Sequence, residues 1–285
     1  MVELEVRNLT PAFGAEVSGF TVHAIDDDET RGWLQALFDA RGLLVFRDLD
    51  ITHAEQVRVS KVLIRDSTAD MVEGPPVEDN FYISNRRARS AAPFGRLQFH
   101  SDTMWADQPF EVLSLYGVEV EPPAAPTTFV SGTSAWKTLP EALRARVEGL
   151  SALHTAGEVR RGDLTDVLVS SVERPPTTVA PIGRRHSRTG DTILYTCEQM
   201  TKEVIGLSPA DSEALLEELF AHLYDPAVRW HHDWRQRDLV VWDNLALQHA
   251  RQNVTVEGPA RTLRKVASPV PKLSLDEMPS FRAAT

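Results

Sequence analysis

The chain has 285 residues, 42% hydrophobic and 25% charged, which is the composition of a globular protein and excludes a disordered, collagen-like or coiled-coil chain. Thirty Lys and Arg against 41 Asp and Glu give a net charge of −11 with no dense basic block, so nucleic acid is not an expected partner. The single cysteine, Cys197, excludes a disulfide framework and any cysteine-rich zinc or iron–sulfur site, and the nine histidines are left as candidates for metal chemistry.

The amino terminus, MVELEVRNLT, is charged and alternating, unlike a secretory signal. No stretch approaches the roughly 20 apolar residues of a membrane helix, so no membrane partner and a reducing cytoplasm are expected. Residues 3–7 alternate as a strand does, and Gly14 to Val22 reads as a second short strand after a turn at Pro11. Acidic residues from Asp26 to Glu29 open a helix whose apolar face carries Trp33, Leu34, Leu37 and Phe38, and Gly42 ends it. Leu43 to Phe46 is apolar throughout, as in a strand buried on both faces, and Thr52 caps a second helix to about Ile64. Residues 66–98 read as a long loop around a short strand at Phe81 to Ile83. Arg86, Arg87, Arg89 and Arg96 make it either a solvated surface loop or a cationic active-site loop.

Residues 110–120 form a strand ended by Pro122-Pro123, and Phe129-Val130 lies in another. Ser134 is expected to cap a helix that crosses Leu139-Pro140 and reaches Leu150. Residues 155–190 look loop-rich, and Ile193 to Tyr195 is a strand. Ser208-Pro209 opens a helix to about Tyr224. Leu239 to Trp242 is a very apolar strand, Asp243-Asn244 a turn, and Thr262 to Ala267 a final strand. Length alone allows about two domains. Short strands with outer helices and no linker favour one, spanning 1–285 with an active-site loop expected at 66–98.

Three features bear on chemistry. His100 and Asp102, in FHSDTMW, are two positions apart and share a face if the segment is extended. His249 follows a strand and turn in WDNLALQHAR, and Arg261 lies a dozen residues beyond it. Two histidines and a carboxylate suit non-heme Fe(II) with open coordination positions, where a 2-oxoacid and dioxygen could both bind. An arginine fork suits a cosubstrate's far carboxylate. Each residue taken singly is better explained as a hydrogen-bonded structural residue. Their order and spacing together are more specific.

With these residues in place, the chain resembles the taurine dioxygenase and 2,4-dichlorophenoxyacetate dioxygenase family of Fe(II)/2-oxoglutarate-dependent oxygenases. The resemblance runs through GAEVSGF (14–20), LLVFRDL (43–49), FHSD (99–102), EPPAAPTTF (121–129), AWKTLP (135–140), RDLVVWDNLALQH (237–249) and RTLRK (261–265). It implies a mainly β fold with flanking helices around a double-stranded β-helix, or jelly roll. It implies His100, Asp102 and His249 as metal ligands and Arg261 for the distal carboxylate of 2-oxoglutarate. Thr128 is the implied partner of that carboxylate, with Thr127 beside it leaving the register open by one residue.

Where the family often has a second arginine for a substrate anion, this chain has Lys265, which is either a substrate contact or a solvated strand residue. Arg96, Trp105, Tyr82 and Asn85 join it as candidate substrate residues by their nearness to the iron motif, although Trp105 is equally well a core aromatic. His231-His232 and Cys197 read as structural. The implied reaction hydroxylates a small organic substrate, an anionic one among the options, with release of succinate and CO2. Its outcome could include C–S or C–O cleavage. The alternatives are an oxygenase tailoring an amino-acid-like or natural-product intermediate, a zinc hydrolase, or a non-catalytic ligand-binding jelly roll. Self-association into a homo-oligomer is left open.

Overall fold

The computed structural model describes residues 4–65, 82–87, 90, 92–268 and 281–284. Strands β1 (Glu5–Asn8), β2 (Ala15–Ser18), β3 (Leu43–Phe46), β4 (Tyr82–Ser84), β5 (Gly95–His100), β6 (Val112–Val120) and β7 (Thr127–Ser131) fill the first half, with α1 (Asp28–Arg41) before β3 and α2 (His53–Leu63) after it. Then come α3 (Gly132–Thr138), α4 (Glu141–Val147), β8 (Ser151–Thr155), β9 (Leu168–Ser170), β10 (Thr177–Pro181), β11 (Gly183–Arg185), β12 (Thr192–Leu194) and β13 (Thr201–Val204). The last part holds α5 (Pro209–Leu223), β14 (Trp230–His232), β15 (Leu239–Asp243), β16 (Leu247–Val254), β17 (Arg261–Ser268) and β18 (Phe281–Ala283).

Local signals account for most of these boundaries. Asp27 caps α1 by accepting from the Thr30 amide, and Gly42 closes it at φ 67°, a left-handed geometry that glycine adopts without a Cβ penalty. Thr52 and Glu55 form a reciprocal capping box on α2. Ser208 and Pro209 open α5 as expected. The helix expected from Ser134 to Leu150 is instead two. Ser131, not Ser134, caps the first, and Leu139 turns extended at ψ 127° because the ring of Pro140 disfavours helical backbone before it. The loop-rich reading of 155–190 missed β9, β10 and β11, which are too short to show a period. Most of the 66–98 segment, with Arg89, lies outside the described residues.

Two sheets frame the barrel. One has seven strands in the order β1-β2-β3-β15-β6-β17-β4, and the other has four in the order β14-β7-β16-β5. The apolar strands serve two cores at once. Leu44, Phe46, Leu239 and Val241 turn outward to pack with Leu34 and Phe38 of α1 and Val57 and Leu63 of α2. Leu43, Val45, Val240 and Trp242 turn inward and pack with Phe129 and Leu263 between the sheets. Burial on both faces explains why β3 and β15 read as unbroken apolar runs. A third core joins α3, α4 and α5 to β8 and β12. The result is the expected mainly β jelly roll with flanking helices.

Candidate active site

The site grows from the register of the four-stranded sheet. His249 of β16 pairs with His100 of β5 on one side and with Phe129 of β7 on the other. Directly opposite residues project to the same face, so the two imidazoles meet with ring centroids 4.2 Å apart. Asp102 arrives differently from the same-strand expectation. β5 stops at His100, and Asp102 sits in the following turn, next to Thr103 at φ 58°. Its Oδ1 nevertheless lies 3.4 Å from His100 Nε2, and one ligand atom from each of His100, Asp102 and His249 falls within 4.8 Å of the others.

The protonation states suit metal binding. Burial opposes charge on Asp102 but is outweighed by the Lys265 ammonium and the hydrogen bond from His100, so the carboxyl stays well below its usual range. Burial, and then the neighbouring His100, hold the His249 ring neutral well below ordinary imidazole values. His100 Nδ1 is 2.8 Å from the carbonyl of Gln98, which fixes the ring and leaves Nε2 toward Asp102. His249 Nδ1 is buried with no hydrogen-bond partner among the described residues. Aromatic rings hold the imidazole instead, Trp242 edge-on at 5.0 Å and Phe129 stacked at 6.2 Å. Two imidazoles and one carboxylate, mutually oriented and nearly closed to water, fit Fe(II).

Arg261 projects inward from β17 along with Leu263. It is 3% exposed, yet it forms no salt bridge among the described residues. Its Nε donates to the Ala125 carbonyl at 2.8 Å and its Nη2 to Thr127 Oγ1 at 3.1 Å. Burial and the nearby Arg251 push this guanidinium well below its ordinary pKa. A buried cation without a counter-ion is costly, so the arrangement favours an incoming anion.

The hydroxyl beside Arg261 therefore belongs to Thr127, not Thr128. Thr127 also accepts from Trp234 Nε1 at 3.0 Å. Thr128 points to the other face of β7, where its Oγ1 lies 2.8 Å from His231 Nδ1.

Lys265 also lies on the inner face of β17, and its Nζ donates to Asp102 Oδ2 at 2.6 Å. The other substrate candidates are engaged elsewhere. Arg96 donates to the Asp163 and Thr165 carbonyls. Asn85 accepts from the Arg261 amide at 2.9 Å and donates to the Thr255 and Pro259 carbonyls, so it braces the β16–β17 loop. Tyr82 pairs across strands with outward-facing Arg264, its ring covered by Arg87. Trp105 is 2% exposed in a cluster with Met104, Tyr195 and Met200, which is a core position.

Sequence reasoning missed two residues. Arg251, buried on β16, donates to the Ala92, Phe94 and Gly95 carbonyls and anchors the entry to β5. Burial alone pushes it down to about 10. Asn244, seen in the sequence only as a turn residue, hydrogen-bonds both sides of the Asp102 backbone.

Comparison with known proteins shows the family and the fold. A family model described as taurine catabolism dioxygenase TauD, TfdA family, matches residues 5–267. The (S)-phenoxypropionate/alpha-ketoglutarate-dioxygenase of Sphingobium herbicidovorans is 28% identical, covering 86% of this chain and 88% of that protein. The alpha-ketoglutarate-dependent 2,4-dichlorophenoxyacetate dioxygenase of Cupriavidus pinatubonensis is 27% identical over 91% of this chain and 96% of that protein. Among solved structures, a putative alpha-ketoglutarate-dependent taurine dioxygenase from Burkholderia xenovorans superposes with a TM-score of 0.75 at 23% identity, covering 99% of this chain and 98% of that one.

Proposed function

The chain belongs to the TauD/TfdA family of 2-oxoglutarate-dependent dioxygenases, and from that premise we propose that it hydroxylates a small organic substrate while converting 2-oxoglutarate to succinate and CO2. The observation that carries this reading is the pairing of the His100–Asp102–His249 cluster with Arg261, a buried guanidinium that has no counter-ion among the described residues. Zinc hydrolysis does not by itself require the second half of that pairing.

In the proposed reaction, His100, Asp102 and His249 hold Fe(II), which together with 2-oxoglutarate and dioxygen supplies the oxidising chemistry. The residues of this chain supply orientation. Arg261 and Thr127 receive the distal carboxylate of the cosubstrate and fix which way it enters. Gln98, through His100 Nδ1, keeps that ring in one tautomer. Phe129, Trp242 and Leu263 exclude water behind the ligands. Where the hydroxylated carbon carries oxygen or sulfur, the product would fragment, giving C–O or C–S cleavage.

Anionic recognition through Lys265 would have to compete with its contact to Asp102 Oδ2. That contact favours, as a second reading, a substrate with no anion at this place, such as a neutral biosynthetic intermediate. The test is succinate release with Fe(II), ascorbate and 2-oxoglutarate over a panel of matched carboxylate, sulfonate and uncharged compounds. His100→Ala and Asp102→Ala should each lower turnover at least about 100-fold, and parental turnover in either would dismiss the metal assignment. A Lys265→Met variant that keeps its affinity for an anionic hit would favour the second reading.

A further inference from the structure

We infer that Asn244 is a positioning residue for Asp102, holding the carboxylate ligand in register with His249; the inference rests on the metal reading above. Asn244 is fully buried, and each of its polar groups is engaged with the segment that carries Asp102. Its Oδ1 accepts from the Asp102 amide at 3.0 Å. Its Nδ2 donates to the Asp102 carbonyl at 2.9 Å and to the Phe110 carbonyl at 3.0 Å. Its own carbonyl accepts from the Ser101 hydroxyl, and its amide donates to the Glu111 carbonyl at 2.9 Å.

The clamp sits where the backbone needs it. Thr103, next to Asp102, adopts φ 58°, which a β-branched residue reaches only when its surroundings force it. Its hydroxyl accepts from the Phe110 amide at 2.8 Å, closing a 103–110 loop whose two ends Asn244 ties together. Without the amide side chain, the Asp102 turn would be free to relax toward a less strained form.

Asn244 itself springs from a fixed turn. Asp243 Oδ1 accepts from the Leu245 and Ala246 amides at 3.1 and 3.0 Å. Its Oδ2 accepts from His186 Nε2 at 2.7 Å and from Arg188. This turn leads directly into β16, which carries His249. One turn thereby sets two ligands, His249 through the chain and Asp102 through the Asn244 amide, although the ligands lie far apart in sequence.

The test compares Mn(II) binding by anaerobic titration calorimetry for the parent, Asn244→Ala, Asn244→Ser and Asp102→Ala, alongside hydrogen exchange of the metal-free proteins. The Asp102 amide should lose protection in Asn244→Ala while amides of β15 and β16 keep theirs, and Mn(II) affinity should fall about 10- to 100-fold. Asn244→Ser, a smaller loss of volume, carries the test if the alanine variant does not fold. A merely structural Asn244 would lower thermal stability and leave the metal affinity of the folded protein at the parental value, and that result overturns the inference. If Asp102→Ala also binds Mn(II) as the parent does, the metal reading fails and the inference falls with it. Exchange data alone separate the two cases, because the clamp on the Asp102 amide needs no metal.

Discussion

At the scale of single residues, the deciding facts concern which way a side chain turns. Arg261 was legible in the sequence, because an arginine a dozen residues after His249 fits a carboxylate-binding role. Its hydroxyl partner was not, because Thr127-Thr128 offers a threonine to either face of β7 and only the pairing of strands selects one. Cross-strand register puts Thr127 opposite Arg251 and Thr128 opposite Ala250, which sends Thr127 inward. Charge-assisted hydrogen bonds contribute about 1.5–3 kcal/mol each. Arg261→Met should therefore weaken 2-oxoglutarate binding about 100-fold or more, and Thr127→Val about 10-fold, with Thr128→Val at the parental value. Calorimetry with Mn(II) present measures all three, and a loss confined to Thr128→Val would reverse the register. Arg261→Met should cost little thermal stability, since it removes a buried charge that has no ionic partner among the described residues. Lys265 was legible as a departure from the family pattern, but its contact with Asp102 depends on a turn whose path the sequence did not reveal.

Among the elements, the Asp243–Ala246 turn shows how local signals run out. Asp243-Asn244 is readable as a turn because both side chains bond their own backbone readily. Its outward ties are not readable, since Ser101, Asp102, His186 and Arg188 are distant in sequence. The same turn gives a pH dependence. Burial disfavours the charged His186 ring, but the hydrogen bond and charge of Asp243 outweigh it and raise its pKa above the ordinary 6.5. The protonated ring thus contributes stability in full below about pH 6.5, and the contribution fades as pH climbs through the raised value. Asp243 is held below 3.8, so its share is present above that pH and is lost as pH falls through the lowered value. His186→Gln should lower stability by about 1–3 kcal/mol near pH 6 and flatten the decline on the alkaline side. Urea unfolding at a series of pH values measures this, and an unchanged alkaline slope would remove His186 from the account.

For the whole molecule, the architecture was more legible than its details. Unbroken apolar runs at β3 and β15 announced strands covered on both faces, and the helices with strong caps appeared close to where they were expected. β9, β10 and β11 were hidden because strands of three to five residues carry too few side chains to reveal an alternation. The two-sided burial separates stability from chemistry. Leu239 is fully buried toward α1 and α2, on the far side of β15 from the ligands. Leu239→Ala should cost about 2–5 kcal/mol of unfolding free energy and leave Mn(II) affinity at the parental value. A parallel loss of metal affinity would mean that the outer core also sets the ligand geometry.

The two buried arginines have a consequence for folding itself. Burial, and then the charge of Arg251, depress Arg261 inside the barrel, and neither arginine has a carboxylate partner among the described residues. The folded chain therefore carries like-charge repulsion that the unfolded chain, open to water, does not. A small dianion entering beside Arg261 would offset it and bind only the native form. At a hundredfold excess over its dissociation constant such a ligand adds about 2.7 kcal/mol to folding. The thermal midpoint should accordingly climb with 2-oxoglutarate concentration even in Asp102→Ala, where metal binding is impaired. On this view the cosubstrate is also a conditional part of the interior, and cellular 2-oxoglutarate would set how long the protein survives proteolysis as well as how fast it turns over.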